Sequence, residues 1–84
     1  MAKTRKLTKR EMDEINDLIR PGFGPKLQIH SGSYEEKDDG TPRYNLGIGD
    51  PVVYVSAENK KRIAMMLKEK FRDAEYFSGG SRIA

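Results

Sequence analysis

The chain predicts an α+β fold in the order α-β-β-β-α: a three-stranded antiparallel meander with two helices on one face. Three observations carry this expectation. Two stretches repeat apolar residues at helical spacing, each behind a hydroxyl residue suited to cap it. Between them, two short stretches alternate apolar with polar residues, as half-buried strands do. A third short run, Val52–Val55, is apolar on both faces and leads straight into the second helix.

The first helix is opened by Thr8-Lys9-Arg10-Glu11, a capping box in which the Thr8 hydroxyl and the Glu11 carboxylate satisfy each other's backbone amides. Leu7 and Met12 flank it as a staple. The helix is expected from Lys9 to about Arg20, burying Met12, Ile15 and Ile19 with Leu18 at the edge. Asp13, Glu14 and Asp17 fall on its outer face. Pro21 is expected to end it, because the residue before a proline is pushed out of the helical region. Phe23, in the turn that follows, is placed at the edge of the core.

Lys26–Tyr34 reads as the first strand, with Leu27 and Ile29 on one face and Gln28 and His30 on the other. Glu35–Pro42 is an acidic loop turned by Asp39-Gly40. Arg43–Ile48 alternates again, with Tyr44, Leu46 and Ile48 inward. Gly49-Asp50-Pro51 turns the chain into the third strand, Val52–Val55. The second helix then starts behind Ser56 and runs about seventeen residues. Ile63, Leu67, Phe71 and Ala74 mark its buried stripe, with Ala64 beside them. Lys61, Met65, Lys68 and Arg72 form a ridge on its far side.

The 84 residues predict one domain over 8–77, with 1–7 a basic flexible arm and 78–84 a disordered tail. The longest apolar run, Ile63–Leu67, is too short for a transmembrane helix, and the basic N-terminus lacks the apolar core of a signal peptide. With no cysteine, the expected compartment is the cytoplasm. Net charge is +3, but it is segregated: Met1–Arg10 carries five positive charges and no negative one, and Asn59–Arg72 sums to +5. The remainder sums to −7. Blocks of one sign point to partner surfaces of the opposite sign.

Catalytic chemistry finds little to stand on. His30 is the single histidine, no cysteine is present, and no G-x-S-x-G surrounds a serine. The acidic loop, Glu35, Glu36, Asp38 and Asp39, lacks the spacing of a calcium loop. Gly47-Ile48-Gly49 lacks the third glycine of a nucleotide-binding turn and leads into a strand. The expectation is a protein that is not an enzyme, with no cofactor and no metal. The basic constellation is the candidate site. Lys60, Lys61 and Arg62 open the second helix, where amides and cations together suit an anion such as phosphate. Met65, Lys68 and Arg72 extend the ridge, and Lys3, Arg5 and Lys6 on the arm add a basic clamp.

The α-β-β-β-α order, with Lys60 and Lys61 opening the second helix, is similar to the double-stranded RNA-binding domain, a resemblance that implies lysine contacts to phosphates. The glycine-serine run that should precede those lysines is missing, and the first helix, which would face the minor groove, is acidic. In size, compact α+β build and want of catalytic residues, the chain also resembles small proteins of phages and mobile elements, among them anti-CRISPR proteins. The members that imitate DNA are strongly acidic and this chain is not, so that resemblance implies an inhibitor that blocks a protein surface. Three functions follow as expectations. The first is a binding module acting on nucleic-acid machinery through the phosphate backbone. The second is a protein-binding inhibitor or adaptor, with Met65 and Tyr54 as apolar anchors. The third is a structural subunit that dimerises through the open sheet face.

Overall fold

Along the chain lie β1 (Lys3–Lys6), α1 (Lys9–Phe23), β2 (Gln28–Glu36), β3 (Pro42–Gly49), α2 (Ala57–Lys70), β4 (Glu75–Ser78) and β5 (Ser81–Arg82). The computed structural model describes residues 3–25, 27–49 and 55–84. The α+β class holds, but the sheet is five-stranded and mixed, in the order β1-β2-β3-β4-β5. β3 and β4 run parallel and the other neighbours antiparallel. The three-stranded meander is therefore corrected: only its hairpin, here β2–β3, survives. The strand expected over Val52–Val55, and Tyr54 with it, falls outside the described residues except for Val55, which is buried and not in a strand. Both helices bury side chains in one core. Ile15 and Ile19 of α1 and Ile63, Ala64 and Leu67 of α2 meet Ile29, Tyr44, Leu46 and Tyr76 of the sheet.

The capping box at Thr8 forms as read: the Glu11 amide donates to Thr8 Oγ1 at 3.1 Å and the Thr8 amide to Glu11 Oε1 at 3.0 Å. The helix does not stop at Arg20. Pro21 sits inside its last turn, and the helix ends only at Gly24, whose positive φ of 78° turns the chain while its amide donates to the Arg20 carbonyl. A proline that near the end forfeits one internal hydrogen bond, and the packing of Phe23 against the core holds the remaining turn. Asn16 does work of another kind. Its amide donates to the Ile29 carbonyl at 3.1 Å and accepts from the Ile29 amide at 2.7 Å. β1 pairs only with residues 33–36 of β2, and the ladder to β3 shifts register between Ile29 and Ser31. Asn16 thus stands in for a neighbouring strand where none reaches.

Across the core face one register is occupied by rings. Arg5 lies opposite Tyr34, Tyr34 opposite Tyr44, and Tyr44 beside Tyr76. The Tyr44 and Tyr76 rings stack at 5.4 Å, nearly parallel, while Tyr34 and Phe71 tilt against Tyr44 at 5.1 and 5.7 Å. Burial raises the pKa of both buried phenols. They differ in satisfaction. Tyr76 donates to the Arg72 carbonyl at 2.8 Å, whereas the buried Tyr44 hydroxyl meets no partner among the described residues.

Two segments expected to be loose are built into the sheet. Residues 3–6 are β1, not a flexible arm: their backbone pairs with β2, and the Leu7 amide continues to the Gly32 carbonyl at 2.9 Å. Leu7 is buried over Gly32, where a Cβ would come within 2.6 Å of its Cδ1, so only glycine lets it seat. Residues 78–84 are not a disordered tail. Gly79 and Gly80, at φ 61° and 82°, make a two-residue hairpin between β4 and β5. Ile83 and Ala84 then pack on the core.

Two outcomes are expected in thermal or urea melts. Asn16→Ala strands two backbone groups of a buried residue and should cost ~1–3 kcal/mol. Tyr76→Phe should cost ~0.5–1.5 kcal/mol by removing a made hydrogen bond, while Tyr44→Phe, which removes an unmet hydroxyl, should be neutral or stabilising. Equal losses for both tyrosines would contradict the assignment.

Candidate functional site

The nine residues singled out in the sequence do not form one surface. They divide between the two ends of α2, which lies alongside α1 with its N-terminal half next to Phe23.

At the far end, the two arginines are engaged. α2 stops at Lys70 with Phe71 as its cap, so Arg72 lies beyond the helix and off the ridge. Its guanidinium turns back over the Tyr34 and Tyr44 rings, 5.6 and 5.8 Å from their centroids. Arg5 covers Tyr34 at 4.9 Å and makes a fork to Glu11, 2.7 and 3.0 Å. Lys3 shares the face of Arg5, and Lys6 the opposite one, since they lie across from Glu36 and Ser33. The clamp of Lys3, Arg5 and Lys6 is thereby corrected to a fixed edge strand. Lys68 is half-buried in a second hollow with Thr41, Pro42, Asp73 and Ala74.

At the near end, Lys61 and Arg62 are exposed and Lys60 is half-buried in the first turns of α2. Ser56 caps this helix as read, its hydroxyl accepting from the Asn59 amide at 3.1 Å. Arg62 rests its guanidinium 5.1 Å from the Phe23 ring centroid and donates to the Asn59 side chain at 3.4 Å. Met65 is 53% exposed, and it is the one large apolar side chain that is exposed among the described residues. With Phe23 and Met66 it floors an open groove of about 450 Å³. Lys61, Arg62 and Lys70 stand along this groove together with Glu58 and Glu69. Among the described residues no ion pair engages any lysine or arginine of α2.

Elsewhere four cations, Arg5, Arg20, Lys37 and Arg43, are held in ion pairs. Arg20 meets Asp17 at 3.5 Å. On the open sheet face Arg43 bridges Glu35 and Glu75 and lies over Phe77, and Lys37 also reaches Glu75. Lys37, then Arg43, hold the Glu75 carboxyl below its usual range. The open face is thus laced by its own charges. His30 is exposed at the irregularity of β2, beside Gly47 and Gly49. No group of three or more metal-ligating side chains is found among the described residues, and no helix there is long and apolar enough to cross a membrane.

Sequence reasoning placed Met66 at the edge of the ridge beside Met65 and missed Phe23 as part of this surface. Phe23 was assigned to the core edge, which it does occupy; its other side is what Arg62 and the groove use. The signal was the helical spacing of Arg62 and Met66, one turn apart on the flank of α2 that faces α1. Comparison with family models, with curated proteins and with solved structures found no match.

The Arg5–Glu11 fork gives a pH prediction. Hydrogen bonding from Arg5, then from the Thr8 amide, lowers the Glu11 pKa to about 2. A glutamate in the unfolded chain ionises near ~4.3. A lowered folded value adds stability that is present above the unfolded pKa and is lost as pH falls toward the folded one. Melting temperature against pH should therefore fall between about 4.5 and about 2, and Glu11→Gln should flatten that limb. An unchanged limb would remove the fork from the stability account.

Proposed function

We propose that the protein is a non-catalytic binding module that seats a partner protein in the groove along α2, acting as an inhibitor or adaptor by covering the partner's surface. The observation that supports this reading is the coincidence of exposed apolar bulk with uncompensated charge. Met65 projects from a groove floored by Phe23 and Met66, and the cations beside it have no acidic partner among the described residues. Interface centres favour apolar side chains and arginine, surrounded by polar groups that steer the approach. Methionine adapts its shape to what it meets.

A second reading, contact with a nucleic-acid backbone, is favoured by one feature: Lys60, Lys61 and Arg62 crowd the positive end of the α2 dipole. Such placement costs ~0.3–1 kcal/mol per exposed cation and suits an arriving anion. Glu58 and Glu69 along the same groove oppose a phosphate chain, and Arg72 is stacked elsewhere. The geometry therefore weighs toward protein.

Affinity capture with and without nuclease separates the two. Under the first reading one protein partner survives nuclease treatment. Met65→Glu then weakens its binding at least ~10-fold, the ~1.4 kcal/mol or more of a central contact, with the melting temperature unchanged. Under the second, capture is lost with nuclease, and duplex affinity falls with salt at a log–log slope near ~−2.7, for three phosphates engaged.

A further inference from the structure

We propose that the groove along α2 is the seat of an acidic amphipathic helix presented by the partner; this rests on the protein-binding reading above and gives the partner's local form. The α2 residues of the groove run from Glu58 to Lys70 at alternating spacings of three and one. That is a single stripe of the helix, twelve residue steps or ~18 Å long at ~1.5 Å per step. The opposite wall is the exit of α1 at Phe23. Both walls are helix side chains, and α-helical backbone groups are spent inside their own helices. An extended strand binds by adding to a free sheet edge, and this groove offers none; a helix binds by laying one apolar stripe into another, with anchors at spacings of three and four.

Charge specifies the rest. Lys61 and Arg62 stand one turn ahead of Met65 and Met66, and neither has a carboxylate partner among the described residues. A partner helix that places carboxylates against Lys61 and Arg62, and leucine or methionine against Met65 and Met66, meets the central residues of the stripe. Glu58 and Glu69 disfavour a helix that is acidic all round, so the match is to an acidic cluster at one end of an apolar stripe.

The test uses the full chain carrying ¹³C-methyl methionine. It is titrated with three probes: a synthetic amphipathic peptide with glutamates beside a leucine stripe, the same residues scrambled off the helical period with two prolines added, and a mixed-sequence DNA duplex. The expected result is movement of the Met65 and Met66 methyl signals, not that of Met12, with the first probe alone. Lys61→Glu with Arg62→Glu should weaken that binding at least ~10-fold, the ~1.4 kcal/mol expected of a desolvated charge contact, and a peptide carrying lysine for glutamate should restore it. An unmoved Met12 signal shows that the variant is folded. Equal response to the scrambled peptide overturns the helical occupant and leaves the protein-binding reading standing. Response to the duplex alone overturns both. Silence of the Met65 and Met66 methyls to all three probes removes the groove as a site.

Discussion

One row of side chains, Arg5, Tyr34, Tyr44 and Tyr76, crosses four strands at a single register, and the rest of the molecule is arranged about it. Its centre is the Tyr44–Tyr76 stack, which spans the parallel pair of β3 and β4. Parallel neighbours cannot be joined by a hairpin, so the chain must cross over the sheet between them, and α2 is on that crossover. The row also fixes where α2 lets go. Phe71 sets its edge on Tyr44, the Arg72 carbonyl accepts from Tyr76, and the Arg72 side chain folds back over Tyr34 and Tyr44. The end of the helix is held by rings, and the charge that would have continued its ridge is held with it.

That constraint sorts the cations of a basic chain into two groups. Those near the ring row are used within the molecule. Arg5 lies over Tyr34 and forks to Glu11, which also closes the α1 capping box, so one carboxylate joins the edge strand to the helix start. A surface ion pair by itself contributes only ~0–1 kcal/mol, and what distinguishes this one is that its acid makes a second, helix-capping bond at the same time. Lys61 and Arg62 lie away from the rings, and among the described residues no ion pair engages them, though Glu58 and Glu69 share their groove. The charge that looked like one ridge in the sequence is therefore divided: Arg72 fastens the helix end to the rings, while Lys61 lines a groove without an ion pair among the described residues.

Much of this was legible. Thr8–Glu11 and Ser56 read correctly as helix starts because a cap depends on three or four consecutive residues and on nothing distant. The inward positions Ile15, Ile19, Ile63, Leu67, Tyr44 and Leu46 followed from period alone. β1 was not legible: Lys-Thr-Arg-Lys is wholly exposed, and it becomes a strand only because β2 offers an edge and Glu11 a partner for Arg5. β4 and β5 were legible and overlooked. Gly79-Gly80 between Phe77 and Ile83 is a two-residue hairpin signal, but the polar residues around it read as a tail, and Ala74 was counted into the helix. Extending α2 through Arg72 made the ridge seem continuous; a cap at Phe71, imposed by the ring row, is a tertiary fact with no local signature.

For the proposed binding role, the same sorting bears on which face would meet a partner. The open side of the sheet carries rows that neutralise themselves, Glu35–Arg43–Glu75 with Lys37 closing one end, and Arg43 masks Phe77 from above. A partner approaching there would meet charges already paired with one another, and no large apolar side chain among the described residues is exposed beside them. At the edge of β1, lysines flank the free backbone, a charge pattern that discourages strand addition. The groove of α2 asks for no such exchange. Its cations have no ion pair to give up among the described residues, and its methionine surface would gain by covering at ~25 cal/mol per Å² of apolar area removed from solvent. The rings hold the far end of the helix, so the order that covering would cost lies in the methionine, lysine and arginine side chains of the groove rather than in its backbone.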